Sequence, residues 1–209
     1  MNTVFPVVKK IRFFLWFIVF TCSIALIPSP ACIAATGIGG RDSLKVGEDA
    51  PPFVMRDLIG DTAIFLRDYT GKTLRENWRN NERFVVVLSF WATWCQPCKV
   101  EIPKLTLLAN KFKGQAVKFF LINTMEQADQ TEDSVRAQYR TRAYHLPCLI
   151  DPAIRVAGLY TVRGLPMLVV IDKFGVVRQV NRGYHENFDI ELENTIHQLL
   201  AEQQKNTEK

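Results

Sequence analysis

The chain has 209 residues, 48% hydrophobic and 22% charged, which is enough apolar material for one globular domain and a leader. The formal net charge is +5, but Lys9, Lys10 and Arg12 precede position 41, and without them 23 basic and 21 acidic residues leave +2. So small a charge, without clustering of basic and aromatic residues, excludes nucleic acid as an expected partner.

The first 35 residues have the composition of an export leader. A basic flank precedes an apolar run from Phe13 to Ile27, and small residues and prolines follow it. We therefore expect residues 1–35 to be a signal peptide or a membrane anchor. Cleavage after Ala34 or Ala35, an uncleaved anchor and lipid attachment at Cys32 remain three alternatives. In each of them the basic flank stays inside, so the domain is expected in the periplasm or at the outer face of the cytoplasmic membrane.

Residues 36–50 are Gly-rich and polar, which predicts a linker or membrane tether. One domain is expected over residues 51–205, with a short tail at 206–209. Near its start, the segments Phe53–Leu58 and Ala63–Leu66 flank a Gly-Asp turn and predict a β-hairpin.

The middle of the domain predicts strands that alternate with helices. The polar stretch 71–83 favours a short helix around Trp78, and the apolar run Phe84–Trp91 predicts a central strand buried on both faces. The elements expected after it are helix Cys95–Phe112, strand Val117–Asn123, helix Thr131–Tyr144, strand Leu146–Ile150, a helical turn at Ala153–Tyr160, strands Met167–Asp172 and Val176–Asn181, and helix Asn187–Gln204. This order predicts an α/β fold with helices flanking a sheet.

Cys95 and Cys98 lie where the central strand ends and the next helix begins. A thiol at a helix N-terminus faces unpaired backbone N–H groups and the positive end of the helix dipole, which both favour thiolate. Cys95 is therefore the expected nucleophile, and Cys98, almost one turn later, is expected to resolve a mixed disulfide. A structural disulfide and a zinc half-site that includes His145 and Cys148 are the alternatives.

The segment Phe90-Trp91-Ala92-Thr93-Trp94-Cys95-Gln96-Pro97-Cys98-Lys99 resembles the active site of the thioredoxin superfamily. Pro103 matches the kink proline of that family, and Gly164-Leu165-Pro166 resembles its cis-proline loop. The resemblance covers about residues 45–205. It implies a thioredoxin fold, a central mixed sheet flanked by helices, here with an N-terminal β-hairpin extension and a central βα insertion.

Two residues indicate which subfamily of the thioredoxin superfamily the chain resembles. Ser89 stands where cytoplasmic thioredoxins carry a buried aspartate, and Glu101 places a carboxyl group one turn beyond Cys98. With Ala50-Pro51-Pro52-Phe53, this pattern is similar to that of the TlpA/ResA-like extracytoplasmic oxidoreductases. Glu101 is expected to oppose thiolate formation and to carry protons. The alternative is a surface ion pair with Lys104.

The resemblance also implies a substrate-binding surface around the two cysteines. Pro166 is expected to be cis and to keep backbone beside Cys95 where a substrate strand can pair, the alternative being an ordinary trans proline. The expected substrate-binding residues are Trp94, Gln96, Pro97, Leu165 and Pro166. Trp94 is expected either to cover one side of the disulfide or to have a packing role alone. Cys148 is interpreted as a small buried hydrophobic residue or a regulatory thiol, and His145, His185 and His197 receive no role.

These observations predict a monomeric thiol–disulfide oxidoreductase without cofactor or metal, which reduces protein disulfides outside the cytoplasm. The resemblance implies apocytochrome c as a substrate, in cytochrome c maturation, and a membrane thiol protein as electron donor. A net oxidant or isomerase on the same scaffold is the main alternative. A thiol peroxidase is disfavoured because Leu88 and Ala92 replace the proline and hydroxyl residue of a peroxidatic motif, and a copper carrier because only two residues separate Cys95 from Cys98.

Overall fold

The computed structural model of the chain describes residues 42–75 and 82–207. The leader predicted at 1–35 and the helix predicted around Trp78 lie outside these ranges. Within them, no helix is both long and apolar enough to cross a membrane.

Among the described residues, seven strands form one mixed sheet in the order β2-β1-β5-β4-β3-β6-β7. The strands are β1 Val54–Asp57, β2 Ala63–Phe65, β3 Val85–Trp91, β4 Val117–Thr124, β5 Cys148–Asp151, β6 Met167–Ile171 and β7 Val177–Arg182. Strands β3, β4 and β5 run parallel, whereas β6 is antiparallel to β3 and to β7. The sheet is therefore the central mixed sheet that the resemblance implies.

In the part of the chain that the structure describes, four α-helices and one short 3₁₀ helix accompany the sheet: α1 Gln96–Lys111, α2 Glu132–Thr141, α3 Arg155–Leu159, α4 Phe188–Thr207 and the 3₁₀ helix Leu66–Asp68. Apolar side chains of α1, α2 and α4 pack in one core, and those of α3 pack in a second. The predicted three-layer α/β architecture is confirmed.

Strand β3 separates the two cores, and all seven of its residues are buried. Since successive side chains of a strand point to opposite faces, Val85 and Val87 enter the core that contains α1, whereas Val86 and Leu88 enter the other. This alternation places Ser89 on the face that α1 covers. The prediction of a strand buried on both faces is confirmed.

The N-terminal hairpin and the central insertion both extend the sheet beyond β4. Strands β1 and β2 pair antiparallel, with Val54 opposite Phe65, and β1 joins the sheet by pairing with β5. Helix α2 and strand β5 lie in the chain between β4 and α3 and form the predicted βα insertion. Strand β5 starts later than expected, at Cys148, immediately after Pro147, which has no N–H for the ladder.

Part of the segment predicted as a linker packs on the domain. Leu44 is buried, with 1% of its surface exposed, and belongs to the core that contains α3. The backbone N–H of Gly47 donates to the carbonyl of Val177, and that of Ala50 donates to the carbonyl of Gly175. Composition alone did not indicate this packing because a single apolar side chain anchors an otherwise polar stretch.

Asp151 anchors α3 to the end of β5. Its buried carboxylate accepts the backbone N–H groups of Arg155, Val156 and Ala157 at 2.9, 3.2 and 2.8 Å. These are the otherwise unpaired donors at the start of the helix.

We expect Asp151→Ala to lower the free energy of unfolding by about 1–3 kcal/mol, because buried N–H groups lose their acceptor. Urea denaturation of the oxidised chain measures this loss. Asp133→Ala is the matched control, since that carboxylate is 90% exposed at the start of α2 and should cost less than about 0.5 kcal/mol. Equal losses for the two variants would contradict the interpretation.

Candidate active site

Cys95 and Cys98 form a disulfide at the start of α1, with their Cα atoms 5.4 Å apart. Cys95 is the N-cap residue of the helix, and its sulfur accepts the backbone N–H of Cys98 at 3.3 Å. Pro97 falls in the first turn, where its missing N–H removes no helical hydrogen bond. The strand-to-helix placement predicted for the two cysteines is therefore confirmed.

Both cysteines are buried. Cys95 keeps 2% of its surface exposed and Cys98 keeps none, which agrees with the expectation that Cys95 is the attacking residue. Gln96 and Pro97 are exposed beside them. Trp94 is 43% exposed, and its indole N–H donates to the carbonyl of Met125 at 2.8 Å. The bond fixes the Trp94 ring at the rim of the site.

A buried hydrogen bond joins β3 to α1 one helical turn beyond Cys98. The hydroxyl of Ser89 donates to the Glu101 carboxyl group at 2.7 Å, and Glu101 is only 2% exposed. Glu101 follows Cys98 by three residues, a spacing that puts Cβ atoms on one helix face about 5–6 Å apart. The surface ion pair with Lys104 does not form, because Lys104 pairs with Asp189 at 3.1 Å.

The surroundings of Glu101 change its acidity. Burial raises the pKa of Glu101 from 4.5 to about 7, while the Ser89 hydrogen bond and the positive charge of a protonated His185 act in the opposite direction. A carboxyl group with this pKa exchanges protons near neutral pH, so it can hold or release one proton beside the cysteines. Sequence reasoning assigned no role to His185, which lies 84 residues further along the chain.

Glu126 is a second carboxylate at the site, and sequence reasoning missed it. It accepts the backbone N–H of Thr93 at 2.7 Å, the Thr93 hydroxyl at 2.6 Å and the Asn123 side-chain amide at 2.6 Å. These three bonds fix the loop that leads into Cys95. The only sequence signal is an acidic residue that follows β4, the strand paired with β3.

The Leu165–Pro166 peptide bond is cis, as expected from the resemblance. Pro166 is buried, and its carbonyl accepts the backbone N–H of Gly183 at 2.9 Å. Leu165 is half-buried, packs against both cores and lines a cavity of about 340 Å³ together with Arg163 and Arg182. Leu165 therefore borders a cavity at this loop, and its contact with substrate stays a prediction.

Cys148 lies inside the core at the start of β5, with 1% of its surface exposed. Burial raises the pKa of its thiol to about 12, and the neighbouring Trp91 side chain offsets only part of that effect. His145, its partner in the zinc alternative, is exposed instead. Burial of this kind favours the interpretation of Cys148 as a small hydrophobic residue.

The chain matches the AhpC/TSA family over residues 46–180. It is 34% identical over 137 residues to the thiol-disulfide oxidoreductase ResA of Bacillus cereus, covering 66% of this chain and 69% of that protein. ResA of Geobacillus kaustophilus is 34% identical over 151 residues, which cover 72% and 77% of the two chains. Among solved structures, a putative thiol:disulfide interchange protein DsbE from Chlorobium tepidum is 26% identical, with a TM-score of 0.63, covering 76% of this chain and 99% of that one.

The raised pKa of Glu101 predicts a specific pH dependence of stability. Since the folded state binds the carboxyl proton more tightly than the unfolded state, its stabilising effect is complete below about pH 4.5 and is lost as pH rises to about 7. We expect the free energy of unfolding of the oxidised chain to fall by on the order of 2–3 kcal/mol across this window. Glu101→Gln should remove this pH dependence of the free energy of unfolding, measured by urea titration. The same pH dependence in both proteins would contradict the raised pKa of Glu101.

The contacts of Glu126 predict a positioning role. Glu126→Ala should slow reduction of the Cys95–Cys98 disulfide by dithiothreitol about tenfold, because loss of roughly 1–2 kcal/mol of hydrogen bonding loosens the loop. Trp94 fluorescence should change as well, which a stability loss elsewhere would not produce. Glu126→Gln keeps one acceptor oxygen, so its rate of reduction should lie between those of Glu126→Ala and the unchanged chain. Unchanged kinetics and fluorescence in Glu126→Ala would refute the role.

The burial of Cys148 predicts resistance to alkylation. In the native chain, iodoacetamide should leave Cys148 unmodified, whereas denaturant should expose it fully. Peptide mass spectrometry distinguishes this residue from Cys22 and Cys32. Rapid native modification of Cys148 at neutral pH would show that the thiol is accessible and would favour the regulatory alternative.

Proposed function

This chain belongs to the AhpC/TSA family and is a thiol–disulfide oxidoreductase of the ResA type, and we propose that it reduces protein disulfides outside the cytoplasm through Cys95 and Cys98. The observation that carries the proposal is the disulfide at the start of α1 with the buried carboxyl group of Glu101 one turn beyond it. Family membership supplies the reaction class, and the buried carboxyl group of Glu101 supports the proposed direction of electron flow.

The reaction begins with both cysteines reduced. The Cys95 thiolate attacks one sulfur of the substrate disulfide and forms a mixed disulfide, and the second substrate sulfur leaves and takes up a proton. The Cys98 thiol then loses its proton, and its sulfur attacks Cys95. The Cys95–Cys98 disulfide forms, and the first substrate sulfur leaves and is protonated. Two electrons and two protons pass to the substrate in total.

Glu101 takes part as a proton carrier in this scheme. Its pKa of about 7 lets the carboxylate accept the proton of Cys98 and later return it. The fully buried Cys98 has no direct exchange with solvent, so a buried acceptor on the same helix face supplies what water cannot. Ser89 holds the Glu101 carboxyl group by its hydrogen bond.

The same carboxyl group favours a reductant over a net oxidant or isomerase. A negative charge beside the cysteines disfavours thiolate and so destabilises the reduced form relative to the disulfide. Strongly oxidising members of this chemistry have a stabilised reduced form instead. Trp94, Gln96, Pro97, Leu165 and Pro166 surround this site in our proposal and contact the substrate.

We also propose a substrate and an electron donor for this reaction. The similarity to TlpA/ResA-like proteins supports apocytochrome c as a substrate, in cytochrome c maturation. A membrane thiol protein would return two electrons to the Cys95–Cys98 disulfide after each turnover. The apolar run from Phe13 to Ile27 with its basic flank supports export and a tether that keeps the domain near that donor.

The reduction potential of the Cys95–Cys98 couple tests the proposed direction. We expect the full chain, equilibrated in defined thiol buffers, to give a value near that of thioredoxin, about −270 mV. Peptide mass spectrometry assigns the oxidised fraction to this pair rather than to the other three cysteines. A value near −120 mV, typical of a strong oxidant, would contradict the proposal. Glu101→Gln should give a less negative potential than the unchanged chain.

A further inference from the structure

A groove of about 560 Å³ lies between α1 and α2. Its lining includes Lys99 and Pro103 from α1, Gln138 and Thr141 from α2, and Arg142 and Tyr144 from the segment after α2. None of these residues belongs to the dithiol, the Glu101 contact or the cis-proline loop, so the groove is a separate surface.

The groove begins next to the redox disulfide. Lys99 directly follows Cys98 in the sequence and lies four residues after Cys95, about 6 Å of helix rise. A polypeptide whose cysteine reacts with Cys95 can therefore extend from that sulfur into the groove within a few residues, since an extended chain spans about 3.3 Å per residue.

The lining is basic. Lys99 and Arg142 carry positive charge, and no carboxylate lines the groove in the part of the chain that the structure describes. The acidic side chains at the start of α2 do not pair with these cations, because Glu132 and Asp133 form ion pairs with Arg136. The two groove cations thus have no partner of opposite charge within the described ranges, and an acidic ligand would supply one.

Tyr144 forms part of the groove wall beside Arg142. Its side chain lines the groove and is 7% exposed. Its hydroxyl lies close to Arg142 but makes no hydrogen bond of normal geometry within residues 42–75 and 82–207. Buried polar groups are usually paired. The hydroxyl atom is itself buried, so the two cations, and not this hydroxyl, face a ligand in the groove.

Exposed apolar side chains follow the same helix. Val100 and Leu107 of α1 are 51% and 70% exposed, and Pro103 lies between them, so the three residues at i, i+3 and i+7 occupy one face of the helix. A concave basic groove flanked by apolar residues fits a protein segment that carries acidic and apolar side chains. A membrane surface would instead be recognised by a cluster of about four to eight basic residues, whereas within the described ranges this groove holds Lys99 and Arg142 only.

We propose that this α1–α2 groove binds an acidic segment of the substrate protein next to the cysteine that Cys95 attacks. The inference rests on the proposed reductase function and adds the chemical class of the substrate segment. It makes the groove a determinant of which disulfides are reduced.

Binding tests the groove without redox chemistry. Fluorescent peptides with serine in place of cysteine carry either two Asp and two Glu residues or the matching Asn and Gln residues. The oxidised full chain should bind the acidic peptide at least about threefold more tightly in fluorescence anisotropy at low salt. In the double variant Lys99→Glu/Arg142→Glu, the acidic and the amide peptide should bind with equal affinity. Lys45→Glu/Lys113→Glu has the same change in charge outside the groove and should retain the tighter binding of the acidic peptide.

Kinetics tests the groove during catalysis. The reduced full chain should reduce a cyclic disulfide peptide with acidic flanks at least about threefold faster than its amide counterpart. The single variant Lys99→Glu, used if the double variant fails to fold, should lower this ratio. Equal binding and equal rates for the two peptides would overturn the inference while leaving the reductase function standing. Tighter acidic binding without reduction of either peptide would support the groove and refute the reductase function.

Binding to vesicles that contain phosphatidylglycerol tests whether the groove binds a membrane instead of a protein segment. If Lys99→Glu/Arg142→Glu weakens binding to these vesicles while the unchanged chain binds acidic and amide peptides equally, the surface faces lipid and the inference fails. Vesicle binding that is equal in the unchanged chain and the groove variant, together with discrimination between the peptides, supports it.

Discussion

The candidate site depends on one buried interaction, the hydrogen bond from Ser89 to the carboxyl group of Glu101. A carboxylate removed from water is unstable unless it is paired or takes up a proton. A single hydroxyl donor offsets only part of this cost, so the pKa of Glu101 stays near 7 rather than returning to 4.5. The resulting proton lies on the same helix face as Cys98, which has no exposed surface of its own. In our proposal, this burial prepares Glu101 as a proton carrier.

The sheet explains why the parts of the site meet. Strands β3 and β4 are parallel neighbours, and Trp91 pairs with Asn123 at their carboxyl ends. The loops that follow both strands consequently leave the sheet at the same edge, and Glu126 can reach the backbone of Thr93. The alternation of side chains along β3 sends Ser89 toward α1 rather than toward the opposite core. A change of one residue in the register of this strand would remove the partner of Glu101.

Much of the fold and part of the site could be predicted from the sequence. The apolar run that forms β3 and the placement of the Cys-x-x-Cys pair at the start of a helix are local signals, and the structure confirms both. Ser89 and Glu101 were each singled out, yet their contact was not, because it depends on how α1 packs on β3. The hydrogen bonds of Glu126 with Thr93 and the electrostatic effect of His185 on Glu101 join residues far apart in the chain, so no periodicity reveals them. Leu44 was assigned to a linker because one buried side chain cannot be distinguished within a polar segment.

The central claim is that the carboxyl group of Glu101 titrates near neutral pH beneath the disulfide. The most direct measurement is a pH titration of the oxidised full chain by NMR with ¹³C-labelled glutamate, in which the Glu101→Gln spectrum identifies the Glu101 side-chain resonance. The account predicts a midpoint near pH 7, well separated from the exposed glutamates. A midpoint near 4.5, the ordinary value, would show that the group is ionised at neutral pH and cannot carry the proton.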